Sequence, residues 1–191
     1  MTDFPRQALP ASPRFALRAA TSDAHERLDA RFSTFDLAHP VDYGAFLRAQ
    51  AGAFFPMEDA LDAAGAESVI ADWPERRRSA ALRADLTALD LPEPAPVAVP
   101  ALSSEAAILG ALYVLEGSRL GGAMLVRRVP DTWPKTFLTP GNPAAWRAFV
   151  TVLDERLSSR ADIDEAAAAA ASVFEAFASS ADNILGTAGR D

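Results

Sequence analysis

Gly110-Ala111-Leu112-Tyr113-Val114-Leu115-Glu116-Gly117-Ser118-Arg119-Leu120-Gly121-Gly122-Ala123-Met124-Leu125 is the stretch on which the fold turns. Its apolar residues recur at spacings of three and four, and no proline interrupts the chain from Ala101 through Val129. That spacing predicts a helix over about 103–129. Yet Gly117, Gly121 and Gly122 sit in its interior. Each costs about 1 kcal/mol relative to alanine, so roughly 3 kcal/mol of helix propensity is given up within two turns. Gly110, Gly117 and Gly121 are spaced by seven and four and share one face, with Ala111, Ser118 and Gly122 beside them. A face so poor in side chains admits two readings. One is close packing against another helix through small residues. The other is a flat ligand lying on the main chain, with the helix kinked or unwound there.

The rest of the chain also reads as helix. Ser12-Pro13 starts a first helix running to about Arg31, with Ser as N-cap and Pro at the first position. Leu17, Thr21, Ala24, Leu28 and Phe32 form its inward stripe. A second helix is expected from about Val41 to Ala64, bent at Pro56, and a third from Trp73 to Leu89. The run Leu91-Pro92-Glu93-Pro94-Ala95-Pro96 begins an extended connection that lasts to Pro100. Ser103-Ser104-Glu105 caps the glycine-bearing helix. A Pro- and Gly-rich loop then leads to a helix containing Trp146, Phe149 and Leu153. A last helix is expected from about Asp162 to Leu185, its acidic start complementing the helix dipole. Arg76-Arg77-Arg78 reads as a solvated helix face. With no series of alternating strand segments, the fold class is all-α. Residues 1–11 are expected to be loosely ordered and 12–191 to form one helical domain.

Composition narrows the function. A net charge of −8 leaves no basic face to neutralise phosphates, which argues against nucleic acid. Cysteine is absent, which removes thiolate metal sites and cysteine nucleophiles and suits a cytoplasmic address. No apolar run reaches the ~18 residues of a membrane span, and no signal pattern opens the chain.

There are two histidines. His39 precedes a proline in a loop and reads as a surface residue. His25 borders the apolar stripe of the first helix, with Asp29 one turn on and Arg18 two turns back. A carboxylate four residues away can accept one imidazole N–H, which fixes the tautomer and makes the other nitrogen a better metal donor. The same spacing describes an ordinary local ion pair. One such histidine cannot build a two-His-one-carboxylate iron site, and no Glu-x-x-His pair serves a di-iron bundle. No phosphate-binding glycine loop or nucleophile elbow is present either. A single imidazole does suit haem, which brings four nitrogens of its own and is flat.

Leu17-Arg18-Ala19-Ala20-Thr21-Ser22-Asp23-Ala24-His25-Glu26-Arg27-Leu28-Asp29 resembles the proximal helix of the haem oxygenases. The stretch from Leu109 to Gly122 resembles their distal helix in its bacterial, biliverdin-producing form. The two motifs stand about ninety residues apart in the family's order, and the later helices fit as well. The resemblance implies a haem-oxygenase-like bundle with haem between helix 12–31 and a kinked helix 103–129. It makes His25 the proximal iron ligand and Asp29 the acceptor that holds its ring. Gly117, Gly121 and Gly122 would lie over the distal face, and Arg18 would stand where the family places a basic partner for a propionate. Tyr113 is a further candidate contact. Ser118 departs from the pattern, since mammalian-type enzymes have an aspartate there. The implied reaction opens haem to biliverdin, carbon monoxide and ferrous iron, using dioxygen and electrons from a ferredoxin or reductase. A bilin photoreceptor is an implied product acceptor. The alternative is a haem-binding or haem-sensing protein on the same fold that does not turn over.

Overall fold

The computed structural model describes residues 12–188, and every regular element among them is helical. In chain order these are α1 (Pro13–Phe32), α2 (Pro40–Ala63), α3 (Ala66–Val69), α4 (Trp73–Arg76), α5 (Ser79–Ala88), α6 (Glu105–Leu125), α7 (Pro143–Arg156) and α8 (Arg160–Ala188). Single 3₁₀ turns occupy Val126–Arg128 and Thr136–Leu138. The expected disorder of residues 1–11 lies outside the described residues. No described helix is long and apolar enough to cross a membrane.

The alanine-rich α8 is the post around which the others stand: α1, α2 and α6 all pack on it. Ala166, Ala170 and Ala181 are fully buried along its length. Their small side chains let three neighbouring backbones come close without leaving voids. The approach is tightest at Gly110 of α6. A Cβ built there would overlap the carbonyl of Ala166, lying 2.8 Å from its carbon. Around this post one apolar core draws in Leu17 from α1, Phe46 and Phe54 from α2, Leu82 from α5 and Phe149 from α7.

Two boundary expectations are corrected. Ser12 occupies the N-cap position of α1 but its side chain makes no capping bond; its hydroxyl instead donates to Asp154 Oδ1 of α7 at 2.6 Å. The helix expected from Trp73 to Leu89 is two helices, separated by extended backbone at Arg77 (φ −64°, ψ 140°). Arg76-Arg77-Arg78 is not a solvated face: Arg76 and Arg78 are buried, at 6% and 8% exposure. A continuous helix would leave these side chains about 200° apart, whereas the break lets both turn inward. Glu58, buried in α2, holds the break in place. It accepts the Arg78 N–H at 2.6 Å and the Ser79 N–H at 3.1 Å, satisfying orphan donors at the start of α5. Asp85 of α5 does the same for the 3₁₀ turn, accepting from Thr136 N (3.0 Å) and Phe137 N (2.8 Å).

α6 runs unbroken from Glu105 to Leu125, with the Ser104 hydroxyl accepting from Ala107 N. None of its glycines has a positive φ, and α6 stays helical through Gly117–Gly122, so the main chain there is not unwound.

The loop after α6 is pinned by Tyr43, a fully buried side chain whose hydroxyl donates to Pro134 O at 2.7 Å. Burial, and then the nearby Asp85, raise this phenol above its ordinary value. As pH climbs past about 10 the unfolded chain loses this proton first, and the fold loses up to ~1.4 kcal/mol per pH unit. Tyr43→Phe is therefore expected to flatten the alkaline fall in thermal midpoint. At pH 7 it should cost about 1 kcal/mol for the lost hydrogen bond. A variant as alkali-sensitive as its parent would refute the assignment.

Candidate active site

The glycine face of α6 is closed at one end and open at the other. At Gly110 it lies against the main chain of α8. At Gly117, two turns on, and at Gly121, three turns on, a Cβ would meet nothing within 4 Å. α6 and α8 therefore diverge beyond their crossing, and the bare face borders a wedge. The close-packing reading of the stripe holds at Gly110, while Gly117 and Gly121 face open space. Gly122 belongs to neither, because it faces Leu138 of the 3₁₀ turn at ordinary van der Waals distance, 3.7 Å from its carbonyl oxygen. Leu120 and Met124 extend the open face with exposed apolar side chains, at 51% and 74%.

α1 supplies another wall. α1 and α6 meet where the half-buried Tyr113 lies beside Thr21, in the field of Arg18 and Arg14. Burial raises the Tyr113 phenol, and these neighbours pull it the other way. One turn beyond Thr21 on α1 stands His25, as Gly117 stands one turn beyond Tyr113 on α6. The His25 ring packs edge-on against Phe174 of α8, with centroids 5.4 Å apart and planes at 75°. Its Nδ1 lies 3.1 Å from Asp29 Oδ2. With that N–H donated to the carboxylate, the lone pair of the neutral ring is on Nε2. The side chain is 58% exposed. Arg18 is exposed on the same helix.

Behind the glycines lies a polar network that sequence reading missed. Arg78 Nη2 donates to Ser118 Oγ at 2.5 Å and to Leu115 O at 2.9 Å, with its guanidinium over the rings of Phe54 and Phe137. Burial, and then the nearby Arg119, push this group down to about 9, so it stays protonated at neutral pH. The Ser118 hydroxyl in turn donates to Leu115 O at 2.7 Å. On the other flank, Arg76 pairs with Glu116 at 2.8 Å and with Asp72 at 2.8 Å, and its hydrogen bonds hold the Asp72 carboxyl below its usual range. A cavity of about 370 Å³ on that flank is lined by Arg76, Glu116, Arg119, Leu120, Pro140 and Trp146, but not by His25, Gly117 or Gly121. A signal for the network was present. Glu116 stands in an otherwise apolar run, and a buried carboxylate requires a cation.

This donor set fits haem. Among the described residues no group of three or more His, Asp or Glu side chains could hold a bare metal ion. One oriented imidazole is enough for iron that arrives in a porphyrin. With nothing within 4 Å of a Cβ at Gly117 or Gly121, the α6 main chain there is open to a flat ring.

The sequence pattern of the family described as "Heme oxygenase" matches residues 14–182. The chain belongs to the haem oxygenase family. A heme oxygenase from Xanthomonas campestris pv. campestris (strain 8004) is 44% identical over 112 residues, covering 55% of this chain and 67% of that protein. In fold the chain is similar to the NO- and CO-bound heme oxygenase from Neisseria meningitidis. The TM-score is 0.75 at 23% identity, over 92% of each chain. As a haem oxygenase it is an oxidoreductase that degrades haem, using dioxygen and electrons from a reductase. No observation favours the alternative of a haem-binding protein without turnover.

Proposed function

We propose that His25 ligates the haem iron through Nε2 and that Gly117 and Gly121 lie over the opposite face of the macrocycle. Two observations support this: the open space against the α6 main chain at Gly117 and Gly121, and, on α1, one exposed imidazole held by Asp29. Haem is both substrate and cofactor, and when bound it supplies the dioxygen chemistry that opens its own ring to biliverdin, carbon monoxide and ferrous iron.

The protein's part is to bind, orient and limit hydrogen bonding. Asp29 keeps the His25 ring in one tautomer and rotation. Main chain at Gly117 and Gly121 would lie close over a bound haem without filling the space, and so would restrict how a small ligand can be oriented there. Ser118 gives its only proton to Leu115 O and accepts one from Arg78. It therefore offers the distal face no strong donor, in keeping with its place where mammalian-type enzymes carry an aspartate. Gly122 acts one step removed, seating α6 on Leu138. Arg18, exposed on α1 and acting on the nearby Tyr113, would receive a propionate, with Tyr113 beside it. Residues 12–191 work as one domain. Its setting is the cytoplasm, its electrons come from a ferredoxin or a reductase, and a bilin photoreceptor takes up the product.

Haem titration followed by reductant under air tests this reading. One equivalent is expected to give a Soret band, and that band should decay into a biliverdin spectrum. Saturation without decay would favour binding alone, and no Soret band would refute the site.

A further inference from the structure

Glu116 immediately precedes Gly117, yet its side chain leaves α6 on the flank away from the open wedge and is buried at 3% exposure. Both of its oxygens are taken. Oε2 accepts from Arg76 Nη1 at 2.8 Å, and Oε1 accepts from Arg119 Nε at 3.1 Å. Arg76 is itself fixed on two more sides, by Asp72 through two bonds of 2.8 Å and by Ala145 O of α7 at 3.3 Å. Arg119 returns a hydrogen bond to the main-chain carbonyl of Arg76. On the opposite flank Arg78 grips Leu115 O and Ser118 Oγ. Thus Leu115, Glu116, Ser118 and Arg119 are each held by the segment 76–78, while Gly117 among them touches nothing on its open side.

Glycine leaves a helix backbone more freedom than any other residue, and an open face gives no packing to oppose that freedom. An apolar patch behind α6 could supply equal stability, but it would not fix rotation and register as directional hydrogen bonds do. We propose that Glu116 and Arg76 are positioning residues that set where the Gly117 main chain stands above the haem. This rests on the assignment of Gly117 to the haem face. It gives the broken α4–α5 connection a role in the reaction: the break exists so that Arg76 and Arg78 can clamp α6 from both flanks.

Glu116→Gln keeps the volume and replaces one accepting oxygen with a donor that cannot pair with arginine. In the haem-loaded protein we expect haem affinity close to the parent's. The C–O stretching band of the ferrous CO complex should shift or broaden, and the biliverdin isomer distribution should change. Turnover should fall by about tenfold, the scale of a displacement well under 1 Å. Asp72→Asn loosens Arg76 from its exposed side without touching α6, and it should move the same band in the same direction by less. A Glu116→Gln protein that binds haem with an unaltered CO band and isomer ratio would overturn the proposal. If that variant does not fold, an unaltered band in Asp72→Asn overturns it instead. A parent that takes up no haem overturns the reading of the site itself, a result distinct from either.

Discussion

His25→Ala is expected to lose the parent's Soret and ferrous spectra and to fall to background turnover, while the protein stays folded. The two halves of this result have separate physical causes. The ring is more than half exposed, and its contacts are one carboxylate at the surface and one edge of Phe174. Surface changes of this kind alter stability by roughly 0.5 kcal/mol, or about 1–2 °C in thermal midpoint for a chain of this size. No other described imidazole can replace it, since His39 stands at the N-cap position of α2 beside Asp42, 3.9 Å away, at another place in the fold. Added imidazole should restore much of the spectrum, because the truncation leaves room for a free ring at the same point. Asp29→Asn should give a milder version, with haem still bound but the ring freer to rotate and its ligand field altered. A normal Soret band and normal turnover in His25→Ala would remove the histidine from the mechanism.

Much of this was legible along the chain, and what was hidden has a common cause. Helix periodicity, the proline at the start of α1 and the Ser104 cap are signals carried by neighbouring residues, and the elements they mark appeared where expected. The pairing of His25 with Asp29 is also local, one turn on one helix. The Arg76–Glu116 bond joins residues 40 apart, and the Arg78–Ser118 bond does the same. Nothing within the Arg76–Arg78 run distinguishes a solvated stripe from a clamp whose partners lie on another helix. Likewise, spacing put Gly110, Gly117 and Gly121 on one face, but it could not show that α8 leaves that face between the first and the second. That depends on where a distant alanine-rich helix crosses.

The crossing makes a prediction in which one substitution has opposite signs at two positions on a single face. Gly117→Ala should stabilise the protein by up to about 1 kcal/mol, because the methyl meets nothing and the helix gains alanine's propensity. That corresponds to a rise of about 2–4 °C in thermal midpoint. On the proposed assignment of Gly117 to the haem's distal face, the same methyl would crowd the bound ligand, so turnover should drop by at least about tenfold, with a larger drop for Gly117→Leu. Gly110→Ala should do the reverse to stability. Its methyl would run into the Ala166 main chain, with the carbonyl carbon at 2.8 Å and Cα at 3.0 Å, and backbone cannot swing aside as a side chain can. Overpacking of that kind costs about 3 kcal/mol, against the ~1 kcal/mol gained in propensity. The net loss of about 2 kcal/mol lowers the midpoint by about 4–8 °C. Because the strain lies at the hinge of the wedge, haem affinity should weaken as well, although the substitution is two turns from the nearest open glycine. Paired thermal melts and haem titrations of the two variants decide the matter. Equal midpoints would mean that α6 does not part from α8 between Gly110 and Gly117, and the wedge would then have no structural origin.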